Sequence, residues 1–261
     1  MISIVFESMR SIKSNGPDLY NNDRDKAFKY FKLRGIPEGS KELNETRANQ
    51  ADNASIWEEE WAFAHKALVG YAKKNKVEKI IDMLFGIGRA HKGLENYDLS
   101  YLYLKSALFL ADRLNHDNLK IQLILDLSVL LFISNSKNEF EDFKKMILEK
   151  LLPGGNPLKQ TADLSHNLFK EGLKLQQWRD KKGKPIKSHL KHATGYYEVT
   201  LFINKNLGDQ NAIAFTLYNL GDIWKELGDM NKARLYWQES LNIFSKKGDN
   251  KHVLELKKRL L

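Results

Sequence analysis

Any chemistry in this chain has to come from a short set of residues. The sequence contains no cysteine, which removes disulfides, thiolate metal sites and cysteine nucleophiles together. Seven histidines remain as the soft ligands. His189 and His192, in HLKH, stand three apart, a spacing that puts two imidazoles on one helix face and suits a divalent metal. No glutamate lies between them and nothing in the sequence brings a third ligand near, so they read as solvated histidines of a basic stretch. FGIGRAHKG, residues 85–93, carries glycines at phosphate-loop spacing, but it follows a helical pattern rather than a strand, and no GxxxxGK[ST] is present. Its glycines are expected to serve packing and turns. WEEEW, Trp57 to Trp61, offers carboxylates for acid–base work, yet without a predicted cleft to fix a pair at a set distance it reads as a charged helix face. The residue types predict no catalytic centre, no metal and no cofactor.

Binding is the chemistry that remains. Between Lys170 and Lys191 eight cations are opposed by Glu171 and Asp180 alone, 8 − 2 = +6, within a chain whose formal net charge is +9. His166, Lys170 and Lys174 fall at four-residue steps and share one helix face, and the stretch RDKKGKP adds Lys181, Lys182 and Lys184. A positive patch is expected there, suited to an acidic peptide segment or, as the alternative, to nucleic-acid phosphate, with Trp178 near enough to stack on a base. No recognisable nucleic-acid module accompanies it.

The elements that position these residues follow from YNLGDIWKELGDMNKARLYWQESLNIF, residues 218–244. Leu217, Leu220, Gly221 and Trp224 recur at three- and four-residue steps, as do Ala233, Tyr236, Trp237, Ser240, Leu241 and Phe244. Two helices are predicted, Ala214–Glu226 and Lys232–Lys246, with small residues where they approach and indoles filling the adjoining space. Gly228-Asp229 and Gly248-Asp249 supply the turns. Moved back by 133 residues, the pattern falls on Gly88, with Leu84, Ile87 and His91, then Ser100, Leu104 and Ala107; moved back by 40 from Gly248 to Gly208, it falls on Ala193, Tyr196, Tyr197 and Thr200. Turns at Asn75, Asn115, Gly155, Gly208 and Gly248 are separated by 40, 40, 53 and 40 residues, so the fourth hairpin carries an insertion.

Leu and Gly before an aromatic in a first helix, then Ala and an aromatic in a second, resembles the tetratricopeptide repeat, in a variant of roughly 40-residue period. The resemblance spans about residues 54–261. It implies an all-α, right-handed superhelical array of about five hairpins over residues 54–249, closed by a capping helix over 250–261. Residues 1–53 lie outside it: two helices, Ile2–Ile12 and Arg24–Leu33, flank the breaker SNGPD, and Arg34–Asn53 reads as a polar linker.

Such arrays bind extended peptides on the surface lined by the first, or A, helices. The register puts Asp82, Phe85, Arg89 and Lys92 there, then Gln122, Leu125, Val129 and Phe132, then Phe215, Tyr218, Asn219, Asp222 and Lys225. In relatives of the repeat, asparagines on helix A bracket a bound backbone, and Asn219 is placed similarly. The resemblance therefore implies a non-catalytic adaptor or peptide-sensing scaffold whose partner is another protein or an extended peptide, with the basic fourth hairpin favouring acidic ones. The longest apolar run, Leu123 to Ile133, is broken by Asp126 and Ser128 and is too short to cross a bilayer, and the N-terminal residues lack a basic leader. No membrane association and a cytoplasmic location are expected.

Overall fold

The turns explain the architecture. Asn75, Glu95, Asn115 and Asn135 adopt left-handed backbone conformations, as do Gly155, Gly208, Gly228 and Gly248. From 75 to 155 these positions are spaced by 20, and again from 208 to 248, so each helix and its turn occupy one 20-residue step. At seven of them the next residue's N–H reaches back to the carbonyl five residues earlier, between 2.8 and 3.2 Å, which satisfies orphan carbonyls at the helix end. In the last three turns glycine closes one helix and aspartate opens the next: the carboxylates of Asp209, Asp229 and Asp249 accept from the N–H of Ala212, Lys232 and His252.

The structure, a computed structural model, describes residues 3–34, 36, 39–53, 56–180 and 182–261. They form thirteen α-helices: α1 (Ser3–Ile12), α2 (Gly16–Arg34), α3 (Lys41–Asn53), α4 (Trp57–Lys73), α5 (Val77–Gly93), α6 (Tyr97–Arg113), α7 (Asp117–Ile133), α8 (Lys137–Leu151), α9 (Thr161–Gln177), α10 (Lys187–Leu207), α11 (Gln210–Glu226), α12 (Met230–Lys247) and α13 (Asn250–Leu260). Among the described residues there is no strand, only an isolated bridge between Arg179 and Pro185, and no helix is long and apolar enough to cross a membrane. The chain divides into two compact units, Met1–Leu130 and Leu131–Leu261.

In the first unit α3 packs on α4, α4 on α5 and α5 on α6, while α1 packs against α6 and α2 against α4. The polar stretch expected to be a linker is largely helix α3. Ser40 caps it, accepting the Leu43 N–H through Oγ at 3.2 Å, and Ala48 and Ala51 are buried. Helix α2 is anchored by Asp23. This buried carboxylate accepts from Trp61 Nε1 at 3.1 Å, His65 Nε2 at 2.9 Å, His91 Nε2 at 2.8 Å and the Tyr103 hydroxyl at 2.8 Å, so one side chain ties α2 to α4, α5 and α6. Burial alone would raise the Asp23 pKa, but the hydrogen bonds and charge interactions with the two histidines outweigh it and hold the group below the usual carboxylate range.

In the second unit α9 packs on α10, α10 on α11, α11 on α12 and α12 on α13. A Cβ added to Gly221 would lie 2.3 Å from the indole of Trp237, and one on Gly172 would lie 2.8 Å from Tyr197. In the first unit the same relation joins Gly88 to Leu104, at 2.7 Å. Trp237, Tyr197 and Leu104 are equivalent under the shifts of 40 and 133 residues, so three hairpins share one close contact, a bare helix backbone against a large B-helix side chain. It also registers α9, whose pattern is weak in the sequence, through Gly172. The insertion falls between α9 and α10, where Asp180 accepts the backbone N–H groups of Lys182 and Lys184 at 2.8 and 2.9 Å.

Candidate functional site

Four of the expected groove residues come together in the first unit. Asp82, Phe85 and Arg89 of α5 and Gln122 of α7 line one cleft of about 390 Å³ with Glu45, Asn49 and Asp52 of α3. Its walls are tied across: Lys79 Nζ lies 2.6 Å from Glu45 and 3.7 Å from Asp82, and Arg89 lies 3.0 Å from Asp52 with its guanidinium over the Phe85 ring. Tyr71 also donates to Glu45. These bonds from Lys79 and Tyr71 hold the Glu45 pKa down against the effect of burial, whereas burial raises that of Asp82. Glu60, beside Gly86, is 2% exposed; burial and then the nearby Asp52 carboxylate push its pKa well above the usual value. The cleft thus presents amides, one aromatic ring, fixed ion pairs and a buried carboxyl. It holds no nucleophile–base pair, and no group of three or more metal-ligating side chains occurs among the described residues.

Other expected positions are corrected. Lys92 is buried, its Nζ 2.5 Å from Asp126 of α7, and it ties two helices together instead of facing a partner. Leu125 and Val129 are core residues, because beyond Gln122 helix α7 is buried without a break from Leu123 to Leu131. Phe132 is half-buried, edge-on to Phe140 at 5.5 Å.

In the second unit the terminal helix covers much of the α11 face. Phe215 meets His252 of α13 at 5.0 Å, the Tyr218 hydroxyl donates to Glu255 at 3.3 Å, and Asp222 accepts from Arg259 Nε at 2.9 Å and from Trp237 Nε1 at 3.0 Å. These three residues seat α13, as the capping-helix expectation requires but the groove expectation does not. Asn219 turns its amide back to the Phe215 carbonyl of its own helix at 2.8 Å, and Lys225 is exposed.

Of the basic set, His166, Lys170, Lys182 and Lys184 are exposed and Lys174 is half-buried; Lys181 lies outside the described residues. His189 and His192 are buried, not solvated, and His189 stacks on Trp178 with centroids 5.8 Å apart. Burial draws the His189 pKa down. One face of the ring expected to receive a base is therefore covered.

No protein-family model matches the chain, and no curated protein matches it. Among solved structures it is similar to BtubC (BKLC) from P. vanneervenii, with 16% sequence identity and a TM-score of 0.45, over 88% of this chain and 90% of that one. A likeness at that level carries no argument about what this chain does.

Proposed function

We propose that the chain is a non-catalytic binding module of the cytoplasm: a right-handed superhelical array of tetratricopeptide-like hairpins that holds an extended segment of another protein along its A helices. The observation behind this reading is the cleft lined by α3, α5 and α7, where residues from three successive A helices converge. Asn49 and Gln122 offer amides that match a peptide backbone, and Phe85 offers contact area beside them. The recurrent contacts of Gly88, Gly172 and Gly221 with large B-helix residues support the repeat assignment. Exposed cations of the second unit, Lys170, Lys182 and Lys184, would favour acidic stretches of the partner.

The same cations could meet nucleic-acid phosphate, with the His189 imidazole already against one face of Trp178. A lysate pull-down with the tagged chain, split into nuclease-treated and untreated halves, separates the two. The account expects a discrete protein partner that survives nuclease. Loss of every bound protein with the nucleic acid would overturn it.

A further inference from the structure

A second cleft, within the second unit, has the opposite chemistry. It runs along α10 beside α8 and the start of α12, with a volume of about 650 Å³. Phe132, Phe140, Leu201, Phe202 and Trp224 give it apolar walls. Lys137, Lys144, Lys191, Lys205 and Lys232 ring them, against Glu141 and Glu198, so the formal balance is 5 − 2 = +3. Neither carboxyl presents a bare charge: Glu141 lies 2.7 Å from Lys144 Nζ, and Glu198 accepts the Tyr236 hydroxyl at 2.5 Å.

Three features indicate what fits. Lys191, Thr194, Glu198, Leu201, Phe202 and Lys205 follow three- and four-residue steps on one face of α10, a span of 205 − 191 = 14 residues or about 21 Å. That is a groove about four helical turns long, with apolar walls and lysines on both sides. Three of the four rings carry an ammonium group over one face: Lys232 sits 3.9 Å over the Trp224 ring, and Lys144 lies 4.9 and 5.4 Å over Phe140 and Phe202. Those three rings offer a base less face to stack on, while aliphatic side chains can still enter between the ring edges and Leu201. Most of its lining comes from α8, α10 and α12, the second helices of their hairpins, joined by Phe132 of α7 and Trp224 of α11.

We propose that this groove binds an acidic amphipathic helix of a partner protein, its apolar stripe against Phe140, Leu201 and Phe202 and its carboxylates against the flanking lysines. The site is independent of the A-helix cleft, and its test does not require that cleft to function.

The probe is a labelled 16-residue helical peptide with leucine at i, i+3, i+4 and i+7 positions and glutamate elsewhere, titrated into the full chain by fluorescence anisotropy. Saturable one-to-one binding is expected, with a change in tryptophan emission that disappears in Trp224→Phe. Lys144→Glu combined with Lys205→Glu should weaken binding by about ten-fold or more, and Phe202→Ala should weaken it as well. Lys251→Glu, an exposed charge on α13, should leave affinity within about two-fold. Circular dichroism of each variant should match that of the parent chain. The proposal is overturned if no saturable binding occurs up to about 1 mM peptide. Equal binding of a lysine-for-glutamate peptide, or equal losses from Lys251→Glu and the double reversal, would overturn it too. So would displacement of the peptide by an oligonucleotide that depends on the same lysines, or concentration-dependent self-association abolished by the double reversal, since these would assign the groove to nucleic acid or to a second copy of the chain.

Discussion

Substituting Gly221 by alanine puts the close helix contact to a quantitative test. On propensity alone the change should stabilise α11 by about 1 kcal/mol. The added Cβ would lie 2.3 Å from both Cδ1 and Nε1 of Trp237 and 2.8 Å from Cγ, all atoms of a rigid ring with no exposure to solvent. Forcing that indole aside costs about 1–3 kcal/mol in overpacking. It also strains the 3.0 Å bond from Trp237 Nε1 to the Asp222 carboxylate, a bond to a charged acceptor of a kind that contributes about 1.5–3 kcal/mol. Set against the propensity gain, the net loss is about 3 kcal/mol. Gly86→Ala is the matched control: its Cβ would meet Glu60 Oε1 at 3.6 Å and Ala64 at 3.9 Å, ordinary contacts, so the propensity gain of up to about 1 kcal/mol should survive. Urea unfolding followed by circular dichroism, with hydrogen exchange of α11 and α12 amides to isolate the second unit, reads both. If Gly221→Ala stabilises the chain as Gly86→Ala does, the packing of α11 on α12 is not as described.

Two further outcomes follow from buried carboxyls. Glu60→Gln should leave stability nearly unchanged at pH 4.5 and below, then exceed the parent chain increasingly as pH rises. The folded-state pKa of Glu60 lies above its ordinary value of 4.5, so the stability its proton contributes is lost on the way up; parallel pH–stability curves for the two chains would contradict this. Asp23→Ala leaves the donors of Trp61, His65, His91 and Tyr103 without their shared acceptor and should cost about 3–5 kcal/mol, read as faster proteolysis of α2 and a lower melting temperature. Because the Asp23 pKa is depressed, its contribution is present above the ordinary value of 3.8 and lost as pH falls below it, so the gap between parent and variant should narrow in acid. An unchanged proteolysis pattern would mean that Asp23 does not anchor α2.

The hairpins were legible because their signals are local. Gly-Asp pairs at 208, 228 and 248 mark both the end of one helix and the cap of the next, and the helices predicted as Ala214–Glu226 and Lys232–Lys246 are Gln210–Glu226 and Met230–Lys247. Helix α3 was not legible because KELNETRANQADN has no apolar stripe. Its stability rests on partners far along the chain, Lys79 for Glu45 and Arg89 for Asp52, and only Ser40 announced it locally. Beyond Gln122 the register on α7 failed for the opposite reason, as a stretch buried on every side gives no phase to read. Lys92, His189 and His192 were misjudged by type: Asp126 neutralises the one, and the two histidines are buried, His189 against the Trp178 ring. Four of the thirteen expected groove residues, Asp82, Phe85, Arg89 and Gln122, line one cleft and came from register alone, while its other wall on α3 required the structure.

Peptide recognition by that cleft is the central claim, and the most direct measurement is the affinity of the recovered partner segment for the parent chain and for the Phe85→Ala, Gln122→Ala double variant, whose side chains line the cleft without holding an ion pair. The account predicts a loss of about 2 kcal/mol or more in binding, roughly thirty-fold, with unchanged helical circular dichroism and melting temperature. Equal affinity for the two chains would contradict it and move recognition away from the A helices.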